Sequence, residues 1–158
     1  MNAQLEECVQ HSVQLFMQGY GCSQSVVVAF SRLYGIDETI AKKISAGFGG
    51  GVGRMRMMCG AVSGMVMLSG LDCGQTDGAD REGKAACYKV VQELIAAFKA
   101  ENGSIICAEL LKMSGCQAQT NTHLPDARTA EYYQKRPCVR KVESAARIFA
   151  KYLEKVGY

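Results

Sequence analysis

Proline is scarce in this chain, and neither of its two prolines interrupts a helical pattern. Pro125 lies in a polar segment, and Pro137 directly precedes a periodic one. Proline in a helix interior removes a hydrogen bond and clashes with the preceding turn, so its scarcity leaves long stretches free to be helical. Apolar residues also recur at helical spacing, as Leu5, Cys8 and Val13 do. The pattern favours an all-α fold, a single compact bundle of six to seven helices.

Start and stop residues set approximate bounds for these helices. Gly19 and Gly35 can end the first two, Asp37 can cap the third, and Asn102-Gly103 can end the longest. The length of 158 residues fits one domain, 1–158. The run VVVAF could pass for a strand, but its flanks favour a buried helix. The predicted helices cover about 5–18, 22–34, 38–48, 58–71, 80–100, 107–113 and 137–155.

Four of the eight cysteines fall where a helix should begin. They are Cys22, Cys59, Cys107 and Cys138. A helix start presents unpaired N–H groups and the positive end of the helix dipole, and both stabilise a thiolate. We therefore expect low pKa values for these thiols. The structural alternative is that they are buried apolar residues, as free cysteines often are.

Thiolates that meet at one end of a bundle can serve three kinds of site. An iron–sulfur cluster takes four cysteine ligands, and a tetrahedral zinc ion takes the same set. Without metal, close thiols of low pKa favour reversible disulfide exchange, for example between Cys22 and Cys59. No C-x-x-C pair occurs, so zinc-ribbon patterns are absent.

The other four cysteines lie in different surroundings. Cys8 and Cys87 fall mid-helix and are expected in the core, whereas Cys73 and Cys116 are expected in loops. A loop cysteine could act as an accessory ligand or a resolving thiol, but the favoured interpretation is that neither takes part.

A glycine-dense loop precedes Cys59. It spans 47–53 and lacks the ending of a phosphate-binding loop. Glycines there let the backbone pass close to the site, and the loop's N–H groups can form an anion nest. Gly49, Gly50, Gly51 and Arg54 are therefore the candidate cofactor-binding residues, with Arg54 facing an anionic ligand or the charge of a cluster.

Charge and hydropathy exclude several functions. A net charge of +3 is too weak to indicate nucleic-acid binding. The C-terminal basic residues, Arg136 among them, are interpreted as a solvated helix face, with an anion- or partner-binding surface as the alternative. The most apolar stretch, 57–71, is too short for a membrane span. The N-terminus lacks a signal-peptide pattern, so a cytoplasmic location is expected, where thiols stay reduced. Gly60 and Gly64 can let another helix approach closely, and this face could also support a homodimer.

The chain resembles the redox-active C_GCAxxG_C_C proteins, small helical proteins with four cysteines and a C-G-A-x-x-G motif. The motif reads Cys59-Gly60-Ala61-Val62-Ser63-Gly64, and the flanking cysteines occur in GYGCSQSVVVAF, GSIICAELL and RPCVRKVES. The resemblance covers about residues 5–155. It implies redox activity inferred from the cysteines, without an established substrate. Related segments occur in split-Soret-type cytochromes, where an iron–sulfur cluster has been associated with this region, but this chain lacks their haem motifs.

The leading hypothesis is a cytoplasmic redox protein whose four cysteines, Cys22, Cys59, Cys107 and Cys138, hold an iron–sulfur cluster for electron transfer or redox sensing. A redox partner protein is expected, because one small domain leaves little room for a full reaction cycle. The alternatives are a metal-free thiol–disulfide protein and a structural zinc or partner-binding module.

Overall fold

A computed structural model describes all residues, 1–158. Its helices begin and end close to residues that favour helix ends. Two 3₁₀ turns, Arg32–Tyr34 and Ala46–Phe48, follow α2 and α3. There is no strand, only an isolated bridge between Met58 and Ile106. The all-α prediction is confirmed. The helices are α1 Ala3–Met17, α2 Cys22–Ser31, α3 Glu38–Ser45, α4 Gly60–Cys73, α5 Arg81–Asn102, α6 Cys107–Met113, α7 Ala130–Lys135 and α8 Cys138–Lys155.

The number of helices is eight rather than the predicted six to seven. The additional one is α7, which begins after Thr129, whose hydroxyl accepts a hydrogen bond from the Tyr132 N–H at 3.1 Å. Its six residues are too few to show an apolar repeat, so periodicity could not reveal it.

Most predicted helix ends are close to those observed. The Asp37 carboxylate accepts a hydrogen bond from the Ile40 N–H at 3.1 Å and caps α3. Gly103 ends α5 with a left-handed φ of 87°, a conformation that glycine adopts without steric cost. Two predictions need correction. Helix α4 spans Gly60–Cys73 rather than about 58–71, and Cys73 is therefore the last residue of a helix rather than part of a loop.

The buried side chains form one hydrophobic cluster between the longer helices. Helix α2 is buried on nearly every side, which explains why its VVVAF run is apolar without an amphipathic pattern. The Phe30 ring meets the Phe149 ring of α8 edge-on, with centroids 5.2 Å apart. None of the helices combines the length and apolar character needed to cross a membrane.

Gly60 and Gly64 let α4 pack tightly against α2. A methyl group at Gly60 would lie 2.9 Å from the Phe48 carbonyl oxygen and 3.1 Å from the Cys22 Cβ. At Gly64 it would lie 3.0 Å from the Val26 Cβ. The expected close helix approach is therefore made within the chain. Because α2 covers this face of α4, the face is not available for the homodimer considered from the sequence.

Candidate redox site

Backbone hydrogen bonds hold Cys59 and Cys107 side by side. The Cys59 N–H donates to the Ile105 carbonyl at 2.7 Å, and the Cys107 N–H donates to the Met57 carbonyl at 2.6 Å. Cys59 is the N-cap of α4, and Cys107 is the first residue of α6. The starts of two helices that are distant in sequence are thereby fixed next to one another.

Cys22 and Cys138 are the first residues of α2 and α8. The Gln24 side chain accepts a hydrogen bond from the Gly21 N–H at 2.9 Å and closes the start of α2. Pro137 precedes Cys138 as the N-cap of α8 rather than as its first residue. Its missing N–H suits a helix start, where that donor would have no partner in the helix.

All four cysteines line one cavity of about 580 Å³. Cys59 is the most enclosed, at 6% exposed, whereas the other three are half-buried. A cavity of this volume is within the range that binds small molecules. The candidate residues Gly49, Gly50, Gly51 and Arg54 line the same cavity.

Glycine is required at two positions of the cavity loop. Gly51 has a φ of +75°, and a methyl group there would lie 2.7 Å from the Cys107 Cβ and from the Arg56 Cα. A methyl group at Gly50 would lie 2.9 Å from the Arg54 Cα. The loop backbone therefore passes directly against Cys107. Gly49 meets only ordinary van der Waals contacts.

The same loop holds three non-glycine residues in the left-handed region. Val52, Arg54 and Arg56 have φ values of 65°, 66° and 60°. This conformation costs about 1–2 kcal/mol for an ordinary residue and is least expected of a β-branched one. Hydrogen bonds across the loop, Gly53 N–H to Gly47 and Met57 N–H to Gly51, each 2.8 Å, hold it in place. Such concentrated strain is found at functional sites more often than elsewhere.

Three arginines surround the carboxylate of Asp126. The nearest nitrogens of Arg136, Arg54 and Arg56 lie 2.8, 3.3 and 3.6 Å from its oxygens. Burial raises the pKa of Asp126, but the positive charges of Arg136 and Arg54 outweigh burial and leave it lowered. The Arg54 guanidinium also donates to the carbonyl of Gln119 at 3.2 Å, which ties the segment between α6 and α7 to the glycine loop.

Cys22 and Cys138 form a hydrogen-bonded pair of thiols. The bond between them lowers the pKa of Cys138 to about 6, against the opposing effect of burial. The Tyr132 hydroxyl and the charges of Arg136 and Arg128 act in the same direction. The bond raises the pKa of Cys22 well above its ordinary value, and burial adds to this. At neutral pH the pair therefore consists of one thiolate and one thiol.

The expectation of low pKa values at all four helix starts is wrong for three of them. Burial raises the pKa of Cys59 to about 12, although the Val62 and Ala61 N–H groups at the start of α4 act to lower it. Burial also raises the pKa of Cys107, and the Arg56 guanidinium, 3.8 Å from its sulfur, offsets only part of this. Desolvation thus outweighs the helix-terminus effect at Cys59, and at Cys107 it outweighs even a neighbouring guanidinium.

Several cavity residues were not identified from the sequence. Arg136 was interpreted as part of a solvated helix face, but it lines the cavity and binds Asp126. No sequence motif pointed to four further residues of the cavity: Arg56, Asp126, Arg128 and Tyr132. They come from two loops and a short helix, so no local pattern links them.

The remaining cysteines lie outside this cavity. Cys8 and Cys87 are buried, as expected, and Cys116 is half-buried after α6. The Cys73 thiol donates a hydrogen bond to the Ser69 carbonyl at 3.2 Å, and burial together with the neighbouring Cys87 raises the pKa of Cys73 to about 11. This second pair joins the end of α4 to α5.

The thiols of the cavity are ligands that suit thiophilic metals, but the side chains are not placed to hold a metal ion in this structure. No three His, Cys, Asp or Glu side chains converge closely enough to hold a metal ion. A bound cluster or zinc ion would require the four thiols to move closer together.

The comparison with protein families matches residues 20–152 to the C_GCAxxG_C_C family, described as "Putative redox-active protein". The matched region contains all four cavity cysteines and every helix except α1 and the end of α8. The chain belongs to this family. Neither the curated proteins nor the solved structures gave a significant match.

Proposed function

We propose that this protein is a cytoplasmic thiol–disulfide redox protein whose reactive pair is Cys22 and Cys138. The observation that carries the proposal is that these two cysteines begin two helices, line one cavity and act directly on each other's pKa. Cys59, the partner first considered for Cys22, is nearly fully buried. A thiolate beside a thiol is the arrangement that disulfide exchange needs, since one sulfur attacks and the other resolves.

The reaction transfers two electrons from the dithiol to a disulfide substrate. The Cys138 thiolate attacks one sulfur of that disulfide, forms a mixed disulfide and releases the first substrate thiolate. Cys22 then loses its proton and attacks the Cys138 sulfur, which releases the second substrate thiolate. The protein ends with a Cys22–Cys138 disulfide, the substrate is reduced to two thiols, and a redox partner protein regenerates the dithiol.

The electrostatics of the cavity support this assignment of roles. Cys138 has the only lowered pKa of the four thiols, so it is the thiolate that attacks near pH 7. Cys22 keeps its proton until the mixed disulfide has formed, because its pKa is raised while Cys138 is charged. Once Cys138 is bonded to substrate sulfur, that charge is gone and Cys22 can ionise more easily.

The test is to identify the first disulfide that forms. The fully reduced protein is treated with limiting hydroxyethyl disulfide, quenched in acid and mapped by mass spectrometry. We expect Cys22–Cys138 to form before any other pair. Formation of Cys73–Cys87 first, or of a random mixture, would contradict the proposal, because that second pair is also in contact. The Cys73→Ala variant is the matched control and should still form Cys22–Cys138.

The second candidate is an iron–sulfur centre for electron transfer or redox sensing, held by Cys22, Cys59, Cys107 and Cys138. Two features favour it. Four thiols line one cavity, and the positive side chains of that cavity would offset the negative charge of a thiolate-bound cluster. When bound, such a cluster would supply one-electron transfer. Cys59 and Cys107 would then have a role that the thiol-exchange proposal does not give them.

Anaerobic purification with iron, sulfide and zinc analysis separates these candidates. Brown protein with iron and sulfide in near-equal amounts, lost in single serine variants of the four cysteines, would establish the cluster. Stoichiometric zinc in colourless protein would instead indicate the structural metal site. Colourless, metal-free protein that forms the Cys22–Cys138 disulfide would support thiol exchange.

A further inference from the structure

The cavity beside the thiol pair carries an excess of positive charge. Among its lining residues are four arginines and one lysine, but only one carboxylate, that of Asp126. Asp126 already faces Arg54, Arg56 and Arg136. One carboxylate cannot neutralise three guanidinium groups, and with the Cys138 thiolate included the cavity still carries more positive than negative charge.

Two of these arginines are buried with nitrogens that have no hydrogen-bond partner. The side chains of Arg54 and Arg56 are 9% and 5% exposed. Arg54 Nε and Arg56 Nη2 are buried and make no hydrogen bond. A buried unpaired donor on a charged group is costly, which makes such an atom a marker for a missing ligand. Arg54 and Arg56 belong to one short loop, and both line this cavity.

We propose that the cavity binds the oxyanion group of a small molecule through Arg56 and Arg54. Resting on the proposed function, the substrate class of the Cys22–Cys138 pair is then a small disulfide that carries carboxylates. A guanidinium group matches a planar carboxylate with paired hydrogen bonds. The thiol pair lies in the same cavity of about 580 Å³, a volume that suits a small molecule.

Oxidation of the reduced protein by three disulfides of similar size tests the substrate class. Dithiodipropionate is a dianion, hydroxyethyl disulfide is neutral and cystamine is a dication. The rate of Cys22–Cys138 formation should be at least about tenfold higher with the dianion than with the neutral disulfide, as one charge-assisted hydrogen bond implies. The cation should be slowest. Equal rates with all three would overturn the substrate class.

The variant Arg56→Gln removes the charge with little change in size. It should reduce the preference for the dianion, measured as the ratio of the rates with the anionic and the neutral disulfide, about tenfold. Arg56 is the suitable position because it is not among the main groups that lower the pKa of Cys138. The matched control is Arg140→Gln on the exposed surface of α8, which should keep the preference. A parallel loss with neutral and anionic disulfides would show that Arg56 has only a structural role.

A binding measurement separates this proposal from the thiol chemistry. Suberate has methylene groups in place of the two sulfurs of dithiodipropionate and cannot react. Calorimetric titration of the Cys22→Ser/Cys138→Ser protein with suberate should show binding that Arg56→Gln abolishes, whatever disulfide the native protein forms. Binding of inorganic phosphate without suberate would overturn the carboxylate class, and binding of neither would overturn the anion site itself.

Discussion

The hydrogen bond from Cys22 should set the pH at which Cys138 becomes reactive. Cys22→Ala removes this donor and leaves the Tyr132 hydroxyl and the nearby arginines in place. Serine is the wrong replacement, because its hydroxyl could still donate to the sulfur. The quantity to follow is the pH midpoint of Cys138 alkylation.

The size of the effect follows from the pKa of Cys138. That pKa is about 6, against an ordinary value of 9.0. At pH 7 the thiolate fraction is then about 90%, compared with about 1% for an ordinary thiol. The Cys22 bond is the largest of the contributions that lower this pKa, so its removal should raise the midpoint by at least about one unit.

The rate itself should change less than the midpoint. A more basic thiolate is also a better nucleophile, with a Brønsted coefficient of about 0.4–0.5. Cys22→Ala should therefore react more slowly than the native protein near pH 7 but faster at high pH, where both are fully ionised. The two pH profiles should cross, and a simple loss of accessibility would not produce a crossing.

The assay is pulsed labelling with iodoacetamide from pH 5 to pH 10, quantified for the Cys138 peptide by mass spectrometry. Cys73→Ala is the matched control, since Cys73 lies at the far end of α4 from the cavity, and its midpoint should equal the native one. A native midpoint near that of an ordinary thiol, or the same midpoint in Cys22→Ala, would refute the reasoning.

Three further outcomes can be measured by denaturant unfolding. Because the pKa of Cys138 is lowered in the folded state, the reduced protein should gain stability as the pH rises from about 6 towards 9, and Cys138→Ala should flatten that rise. Gly51→Ala should lower the free energy of unfolding by roughly 2–5 kcal/mol, because of backbone strain and steric overlap. Gly53→Ala is the comparison: its φ is +56° but the space around it is open, so it should cost only about 1–2 kcal/mol. Equal losses in the two variants would contradict the close packing at residue 51. Asp126→Asn should remove the part of the stability that is lost as the pH falls below about 4, because the pKa of this carboxyl is lowered from 3.8 in the folded state, and an unchanged acid profile would show that its arginine contacts are weak.

Much of the helical framework could be predicted because its signals are local. Asp37, Gly103 and Pro137 lie at helix ends through their own backbone preferences, and each acts within a few residues of its position. The buried helix α2 was harder to assign, since a fully buried helix has no polar face. The short α7 could not be predicted, because it forms against the rest of the protein rather than through an apolar repeat.

The local sequence signals that predict helix ends could not predict the charge states and ion pairs of the site. A helix start lowers a thiol pKa, and the first N–H groups of α4 act in this direction on Cys59, yet its pKa rises because the packed core removes water from it. Arg54 and Asp126 are 72 residues apart in the chain, so their ion pair leaves no trace in sequence spacing.

Local sequence signals are enough to predict the all-α class, most helix ends and the four cysteines at or beside helix starts, because capping, glycine and proline preferences act over a single turn. Folding is needed to bring Cys22 to Cys138, to lower the pKa of Cys138 alone among the four thiols, and to place buried arginines in the same cavity. These properties depend on distances and solvent exclusion between distant segments, and both arise only when the helices pack.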